Sequence, residues 1–298
     1  MTDSNDRVYT YYPGCSQMVT NKAYNISTQN VARTLGLEMV ELDDWNCCGA
    51  TAFMAVDKKR AFVLSARNLA MAEQTGREEV VTACNGCYLT LNKVNRHLAE
   101  QAELAAQVQK ALAAGGMTYK GGVRVRHLLD IVVNDVGEKR VRQHVRRPLA
   151  GLKVACYYGC QITRPFGEID DEEYPEMMDV LSGWLGAEAV AFPLKTKCCG
   201  GLMMTTQPEM GRKLTGAILR SAKQGEADGI ITCCPLCQMN LEAYQDQVGA
   251  AIGYDCHIPV LYFTQLMGYA FGLEGSELAL RDSLTPVEAT LMEKVESR

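Results

Sequence analysis

The sequence predicts an α/β protein of two pseudo-repeated domains, each a small parallel β-sheet flanked by helices, with cysteines at the carboxyl ends of the strands. Three observations predict this. One arrangement of five cysteines is written twice. β-rich runs alternate with helical stretches through both halves, which implies parallel sheets joined by right-handed crossovers. Each cysteine group lies just after a predicted strand, where ligands of open α/β sheets bind.

Thirteen cysteines are present, and ten of them form the repeat. The first copy is Cys15, then Cys47-Cys48-Gly49, then Cys84-Asn85-Gly86-Cys87. The second is Cys160, then Cys198-Cys199-Gly200, then Cys234-Pro235-Leu236-Cys237. Cys15 precedes Cys47 by 32 positions and Cys160 precedes Cys198 by 38. Cys48 to Cys84 is 36 and Cys199 to Cys234 is 35.

In the first half, residues 8–12 form a β-rich run ending at Pro13-Gly14-Cys15. A helix over about 22–35 stops at Gly36, a residue suited to helix ends. Residues 37–42 read as a strand running toward Cys47. Phe62, Ala66 and Leu69 lie at helical spacing in a helix over 55–74, stopped by Gly76. Residues 79–83 are a strand ending directly at Cys84, followed by a helix. Residues 123–125 and 127–133 complete the half as strand and helix. The second half repeats the rhythm: strand 153–158, helix 174–185, strand 189–192, helix 210–224, strand 229–232, a helix from about 238, strand 259–262 and helix 264–271. The predicted domains are 1–138 and 151–298, the second with a charged tail, read as fraying freely or clasping a partner, that has a helix start at Thr285-Pro286-Val287-Glu288. Between them, 139–150 is a basic linker holding Lys139, Arg140, Arg142, Arg146 and Arg147, read as a solvated connector that can be helical, with docking of an acidic partner as the alternative.

Composition narrows the class. With 298 residues, 47% apolar and 22% charged, the chain is globular. A net charge of -5 argues against nucleic acid. Residues 1–10 lack a basic n-region and an apolar stretch, so no signal peptide is read. The most apolar stretch, 258–273, is too short to span a bilayer comfortably and reads as a buried strand and helix. A cytoplasmic location follows, where clustered cysteines bind metal or do redox chemistry rather than form disulfide frameworks.

Thiolates suit zinc, copper(I) and iron–sulfur clusters. Adjacent cysteines reach one cluster only if the backbone bends sharply, and a following glycine permits the bend. Zinc and ordinary clusters take four ligands. Five cysteines in each half point to something else. Two alternatives stay open here: zinc with a spare thiol in one half, and a thioredoxin-type dithiol at Cys84/Cys87 or Cys234/Cys237. Cys156, Cys233 and Cys256 have no counterparts and read as buried small apolar residues. Cys233, beside a proposed ligand, could instead be a labile thiol or an alternate ligand.

The doubled Cys…Cys-Cys-Gly…Cys-x-x-Cys pattern resembles the CCG-domain proteins, and over residues 8–273 the chain resembles the HdrB family of heterodisulfide reductase subunits. Ala66-Arg67-Asn68-Leu69, Cys84-Asn85-Gly86-Cys87, Val125-Arg126-His127, Tyr158-Gly159-Cys160 with Arg164-Pro165, and Cys234-Pro235-Leu236-Cys237 carry the likeness. The resemblance implies two noncubane [4Fe–4S] clusters, one held by Cys15, Cys47, Cys48, Cys84 and Cys87, the other by Cys160, Cys198, Cys199, Cys234 and Cys237. It implies an oxidoreductase that cleaves a disulfide between the clusters, each sulfur being taken up by iron. It also implies partners: a ferredoxin-like protein of HdrC type and a FAD-containing protein of HdrA type. In a sulfur-oxidising bacterial branch the substrate is sulfur on a lipoyl carrier protein. The alternatives are a CCG electron-transfer subunit of a respiratory or lactate-type oxidase, and a zinc-stabilised assembly scaffold.

Arg164 and Lys197 are candidate substrate contacts, with Lys195 a weaker one, since a cation beside a cluster could bind an anionic group. An ordinary surface charge or a salt bridge is the alternative. Met203 and Met204 are gap-filling core or pocket lining. His97, His127, His144 and His257 stand apart from the cysteine groups in sequence and read as structural.

Overall fold

The computed structural model describes residues 7–50, 52–166 and 168–296. Residues 1–6, where the absence of a signal peptide was read, lie outside them.

The first half runs β1 (Arg7–Tyr11), α1 (Cys15–Met18), α2 (Lys22–Thr34), β2 (Leu37–Glu41), α3 (Ala52–Val56), α4 (Lys58–Gln74), β3 (Glu79–Thr82), α5 (Asn85–Glu100), α6 (Ala102–Ala114), β4 (Arg124–His127) and α7 (Leu128–Asp130). A π-helical stretch, Ile131–Val136, continues into α8 (Gly137–His144). The second half runs β5 (Lys153–Tyr157), α9 (Met177–Trp184), β6 (Glu188–Ala189), α10 (Met203–Thr206), α11 (Pro208–Gln224), β7 (Gly229–Thr232), α12 (Pro235–Ala243), α13 (Gln245–Ile252), β8 (Val260–Tyr262), α14 (Phe263–Ala270) and α15 (Val287–Leu291).

Each half holds a four-stranded parallel sheet, ordered β2-β1-β3-β4 and β6-β5-β7-β8. The predicted α/β repeat is therefore present. Strand order reverses between β1 and β3, and between β5 and β7. That switch point opens a crevice at the carboxyl ends of the strands. Cys15 follows β1, Cys84 follows β3, and their counterparts follow β5 and β7.

Several elements differ from expectation. The helix expected over 55–74 is two pieces, because Asp57 accepts the Arg60 N–H and caps α4. The strand expected at 189–192 pairs only over Glu188–Ala189, after which Phe192 turns into the core. α12 begins at Pro235, just behind Cys234, not near 238; Pro235 suits a first helical turn. The basic segment is helical at its start, as expected, since it begins inside α8, where Arg142 pairs with Glu138. The N–H groups of Arg146 and Arg147 then donate to the Ala270 carbonyl. The charged tail packs: Leu278, Leu280, Val287 and Leu291 are buried, and the hydroxyl of Thr285 donates to Glu242. Stretch 258–273 is the expected buried strand and helix. No helix among the described residues is long and apolar enough to cross a membrane.

The larger hydrophobic core passes through both halves. Tyr24 of α2 stacks on Tyr262 of β8, with ring centroids 3.9 Å apart. Asn21 donates to the Pro235 carbonyl and to the Tyr262 hydroxyl. Arg96 of α5 stacks on Phe166. These contacts hold the two crevices against each other.

Candidate metal centres

The local sequence explains how each cysteine is presented. Cys15 opens α1, while Cys84 and Cys234 cap α5 and α12, so helix N-termini aim their positive ends at the thiols. Gly14 (φ +77°) and Gly159 (φ +73°) take a left-handed conformation. A Cβ on Gly14 would stand 2.8 Å from Cys87 Sγ, and one on Gly159 would stand 3.0 Å from Cys237 Sγ. Only glycine leaves room for that sulfur. The glycines of the Cys-Cys-Gly motifs also have positive φ, and they pack against Ala61 of α4 and Gly211 of α11.

Two further pairs support the site, and a third stands beside it. Tyr12 donates to the Asn46 carbonyl at 2.8 Å, and Tyr157 to the Lys197 carbonyl at 2.5 Å. Each holds the peptide just ahead of a Cys-Cys pair. Ser65 and Thr215 donate to the carbonyls of Cys48 and Cys199. Thr82 and Thr232 end the third strands, fully buried. The sequence carried a signal for these residues: tyrosine stands three positions before Cys15 and before Cys160, and each Cys-Cys pair is followed 17 and 16 positions on by a hydroxyl residue.

The sulfurs converge. Cys15 and Cys47 are 3.7 Å apart, and Cys48 and Cys87 are 3.5 Å apart. Cys160, Cys198, Cys199, Cys234 and Cys237 line one cavity of about 80 Å³, together with Asn85, Gln161, Gly201 and Leu236. Hydrogen bonding from Cys15 and Cys48 lowers the Cys47 thiol to about 2, and bonding from Cys160 and Cys199 does the same for Cys198. Their donors Cys15 and Cys160 are raised by that bond and by burial. Cys48 and Cys199 are pushed up to about 12, chiefly by hydrogen bonding to Cys47 and Cys198. The two sets also meet. Hydrogen bonds from Cys234 and Cys87 hold Cys84 low. Cys237 lowers Cys234, but donation to Cys84 and burial outweigh this and raise it to about 12. Cys15, Cys47 and Cys198 are exposed, whereas Cys48, Cys87, Cys199, Cys234 and Cys237 are buried. Each site thus has an inner wall and an open outer face.

The family model of the cysteine-rich domain, CCG, matches residues 9–92 and 154–242. The chain belongs to this family. This CCG protein is 34% identical over 95% of its length to the "8-methylmenaquinol:fumarate reductase membrane anchor subunit" of Wolinella succinogenes, covering 98% of that protein. It is 31% identical over 91% of its length to the HdrB-type subunit of the "Ferredoxin/F(420)H(2)-dependent CoB-CoM heterodisulfide reductase" of Methanosarcina acetivorans, covering 92% of it. The HdrB-type subunit of the "Ferredoxin:CoB-CoM heterodisulfide reductase" of Methanosarcina mazei is 30% identical over 86% of the chain and 87% of that protein. The kinship with HdrB that the motifs suggested is therefore present. In solved structures the fold recurs in a hypothetical protein from Helicobacter pylori, with a TM-score of 0.72 and 13% identity. That match covers 96% of this chain and 53% of the other, so the CCG protein spans about half of it.

The other expected site residues fall into place. Arg164 donates to the Thr196 carbonyl, two residues ahead of Cys198. Lys197 is exposed beside Cys198. Lys195 is buried, held by Asp179 at 2.6 Å and the Pro175 carbonyl at 2.9 Å, which ties the loop before Cys198 to α9. Met204 is core and Met203 is exposed. Cys156 is buried against Ser182, and Cys256 is buried in the second core. Among the histidines, His127 is fully buried at the end of β4, near the carbonyls of Ala83 and Cys233. It is therefore close in space to the cysteine groups it stands apart from in sequence. Burial lowers it to about 4, and its Nδ1 accepts the Leu129 N–H.

The donor set fits a bulky soft-metal group. Five sulfurs surround the C-terminal cavity, and no carboxylate or imidazole lines it. Among the described residues, no three histidine, cysteine, aspartate or glutamate side chains close to the geometry of a single ion.

Proposed function

We propose that the chain is the catalytic iron–sulfur subunit of a heterodisulfide reductase-like complex. It would hold two noncubane [4Fe–4S] clusters, one on Cys15, Cys47, Cys48, Cys84 and Cys87, the other on Cys160, Cys198, Cys199, Cys234 and Cys237. One observation carries the reading: two five-thiol sets, built alike, meet where Asn85, next to Cys84, lines the cavity of the second set. Kinship with the HdrB subunits of heterodisulfide reductases supports it.

When bound, such clusters supply one-electron steps and iron that binds sulfur. The chain's own groups do the rest. Gly14 and Gly159 leave space for the inner sulfurs. Tyr12, Tyr157, Ser65 and Thr215 fix the peptides that carry the Cys-Cys pairs. The exposed side at Cys15, Cys47 and Cys198 is the approach for substrate, a disulfide or a lipoyl-bound sulfur, and Lys197 places a positive charge there. Arg164 braces the same loop from within. A ferredoxin-like partner of HdrC type and a flavoprotein of HdrA type would deliver or remove electrons, in the cytoplasm.

The Wolinella relative favours a second reading, an electron relay in a fumarate reductase-type respiratory complex. Two measurements decide. Anaerobically purified protein should hold about eight iron per chain with acid-labile sulfide; zinc without iron ends the redox reading. Adding a thiol or disulfide to the oxidised protein should change its EPR spectrum. An unchanged spectrum supports the relay.

A further inference from the structure

We propose that Asn85, carried by the N-terminal half, is a positioning residue for the C-terminal site, where its carboxamide donates a hydrogen bond that makes the two sites unequal. The proposal rests on the iron–sulfur reading above and goes beyond it.

Asn85 lies between Cys84 and Cys87, yet it lines the cavity of the other half's five cysteines. It is 1% exposed. One N–H of its Nδ2 donates to the Tyr158 carbonyl at 2.7 Å. Its Oδ1 accepts from the Cys233 thiol at 3.4 Å. These two contacts fix which end of the carboxamide is the donor. An amide NH₂ has two hydrogens, and the second has no acceptor among the described residues. Nδ2 is 3.7 Å from the point where a Gly159 Cβ would stand, and that point is 3.0 Å from Cys237 Sγ. The amide nitrogen therefore stands on the side of the cavity that carries Cys237.

The matching position of the second motif does not reciprocate, although Gln161 of the C-terminal half reaches Gly86. Pro235 occupies the matching position of the second Cys-x-x-Cys motif, and proline has neither a side-chain donor nor an N–H. Ala83 occupies the position of Cys233. The N-terminal site therefore lacks both the donor and the thiol that orients it. A donor aimed at cluster sulfur favours the more negative, reduced state, and hydrogen bonds to the sulfurs are among the factors that set cluster potentials. This hydrogen bond raises the potential of the C-terminal site, and that contribution comes from a residue of the other half.

An EPR-monitored redox titration of the full chain with its iron tests this, comparing wild type with Asn85→Ala, Cys233→Ala and Cys233→Ser. The C-terminal signal is the one that Cys198→Ser removes. Asn85→Ala should shift that midpoint to more negative potential and leave the other where it was, at unchanged iron content. Cys233→Ala introduces the residue found at position 83 and should shift it the same way by less. Cys233→Ser keeps a donor to Oδ1 and should restore the wild-type value. Midpoints that stay put, midpoints that move together, or equal effects of the two Cys233 variants overturn the proposal. If Asn85→Ala loses iron, the Cys233 pair alone decides. A wild-type protein without iron would instead overturn the reading beneath it.

Discussion

In the N-terminal half Tyr12, Gly14, Gly49 and Ser65 surround the cysteines. In the C-terminal half Tyr157, Gly159, Gly200 and Thr215 stand at the matching positions and make the matching contacts. Where the halves meet, the matching stops. Asn85 faces Tyr158 and Cys233, while Pro235 faces Asn21. His127 ends β4 where Tyr262 ends β8. Residues that shape a five-sulfur crevice are held to one solution by geometry. Residues at the seam serve two different neighbours and are free to diverge. The repeat is a repeat of the site, and the differences between the halves gather at the contact between the sites.

Removing a sulfur from either copy should have the largest effect. Cys198→Ser should cost more than the roughly 10–100-fold typical of losing an outer-sphere partner, with iron per chain falling toward half. Cys47→Ser should do the same to the other half. Cys256→Ser, remote in the second core, should change neither number. Equal losses from Cys198→Ser and Cys256→Ser would break the assignment of ligands.

The glycine pair comes next. Gly14 has φ 77° and ψ 161°, a region almost confined to glycine, so Gly14→Ala should cost at least about 1–3 kcal/mol. Its new methyl would also displace Cys87 Sγ. Gly159→Ala should mirror this at Cys237, slightly more mildly, since the approach is 3.0 Å and not 2.8 Å. Chemical unfolding and iron analysis of both variants check the pair. Loss confined to one half would show that the crevices fill independently.

His127 sharpens the difference at the seam. Its folded value of about 4 lies below the ordinary 6.5. The folded state therefore binds fewer protons in that window, so stability present above pH 6.5 is lost as pH falls toward 4. Between pH 7 and 5 the loss is about 2 kcal/mol. Tyr262, its counterpart, does not titrate there. Denaturant unfolding should give a His127→Phe variant a flatter profile over that range than wild type.

Much of this architecture was legible because cysteine, glycine and alternating apolar runs mark strand ends directly. Cys84 and Cys234 follow their strands with one residue between. The tyrosines and hydroxyls around the motifs were written in the repeat, at nearly constant offsets from the cysteines, and needed only alignment of the halves. The seam was not legible. Asn85 reaches Tyr158 and Asn21 reaches Pro235 across 73 and 214 positions, and no periodicity encodes such contacts. The helix start of the tail was legible, since α15 follows Pro286, but its packing was not: Leu278 and Val287 are apolar positions whose burial depends on a surface built from distant segments.

The smallest effect separates two contacts that look identical. Ser65 donates to the Cys48 carbonyl, and no other donor to that oxygen is found among the described residues. Thr215 donates to the Cys199 carbonyl at 3.0 Å, but Asn240 donates to the same oxygen at 3.2 Å. A buried carbonyl left without a donor costs about 1–3 kcal/mol. Ser65→Ala should lose that amount, since among the described residues no other donor replaces the hydroxyl. Thr215→Val keeps the shape of the side chain and leaves Asn240 in place, so its loss should be under about 1 kcal/mol. Equilibrium unfolding of the two variants measures the difference. Equal losses would mean that Asn240 does not share the load, and that the C-terminal crevice is supported as sparsely as its partner. Unequal losses in the expected order would make the C-terminal site the better braced of the two, on the side where Asn85 also acts.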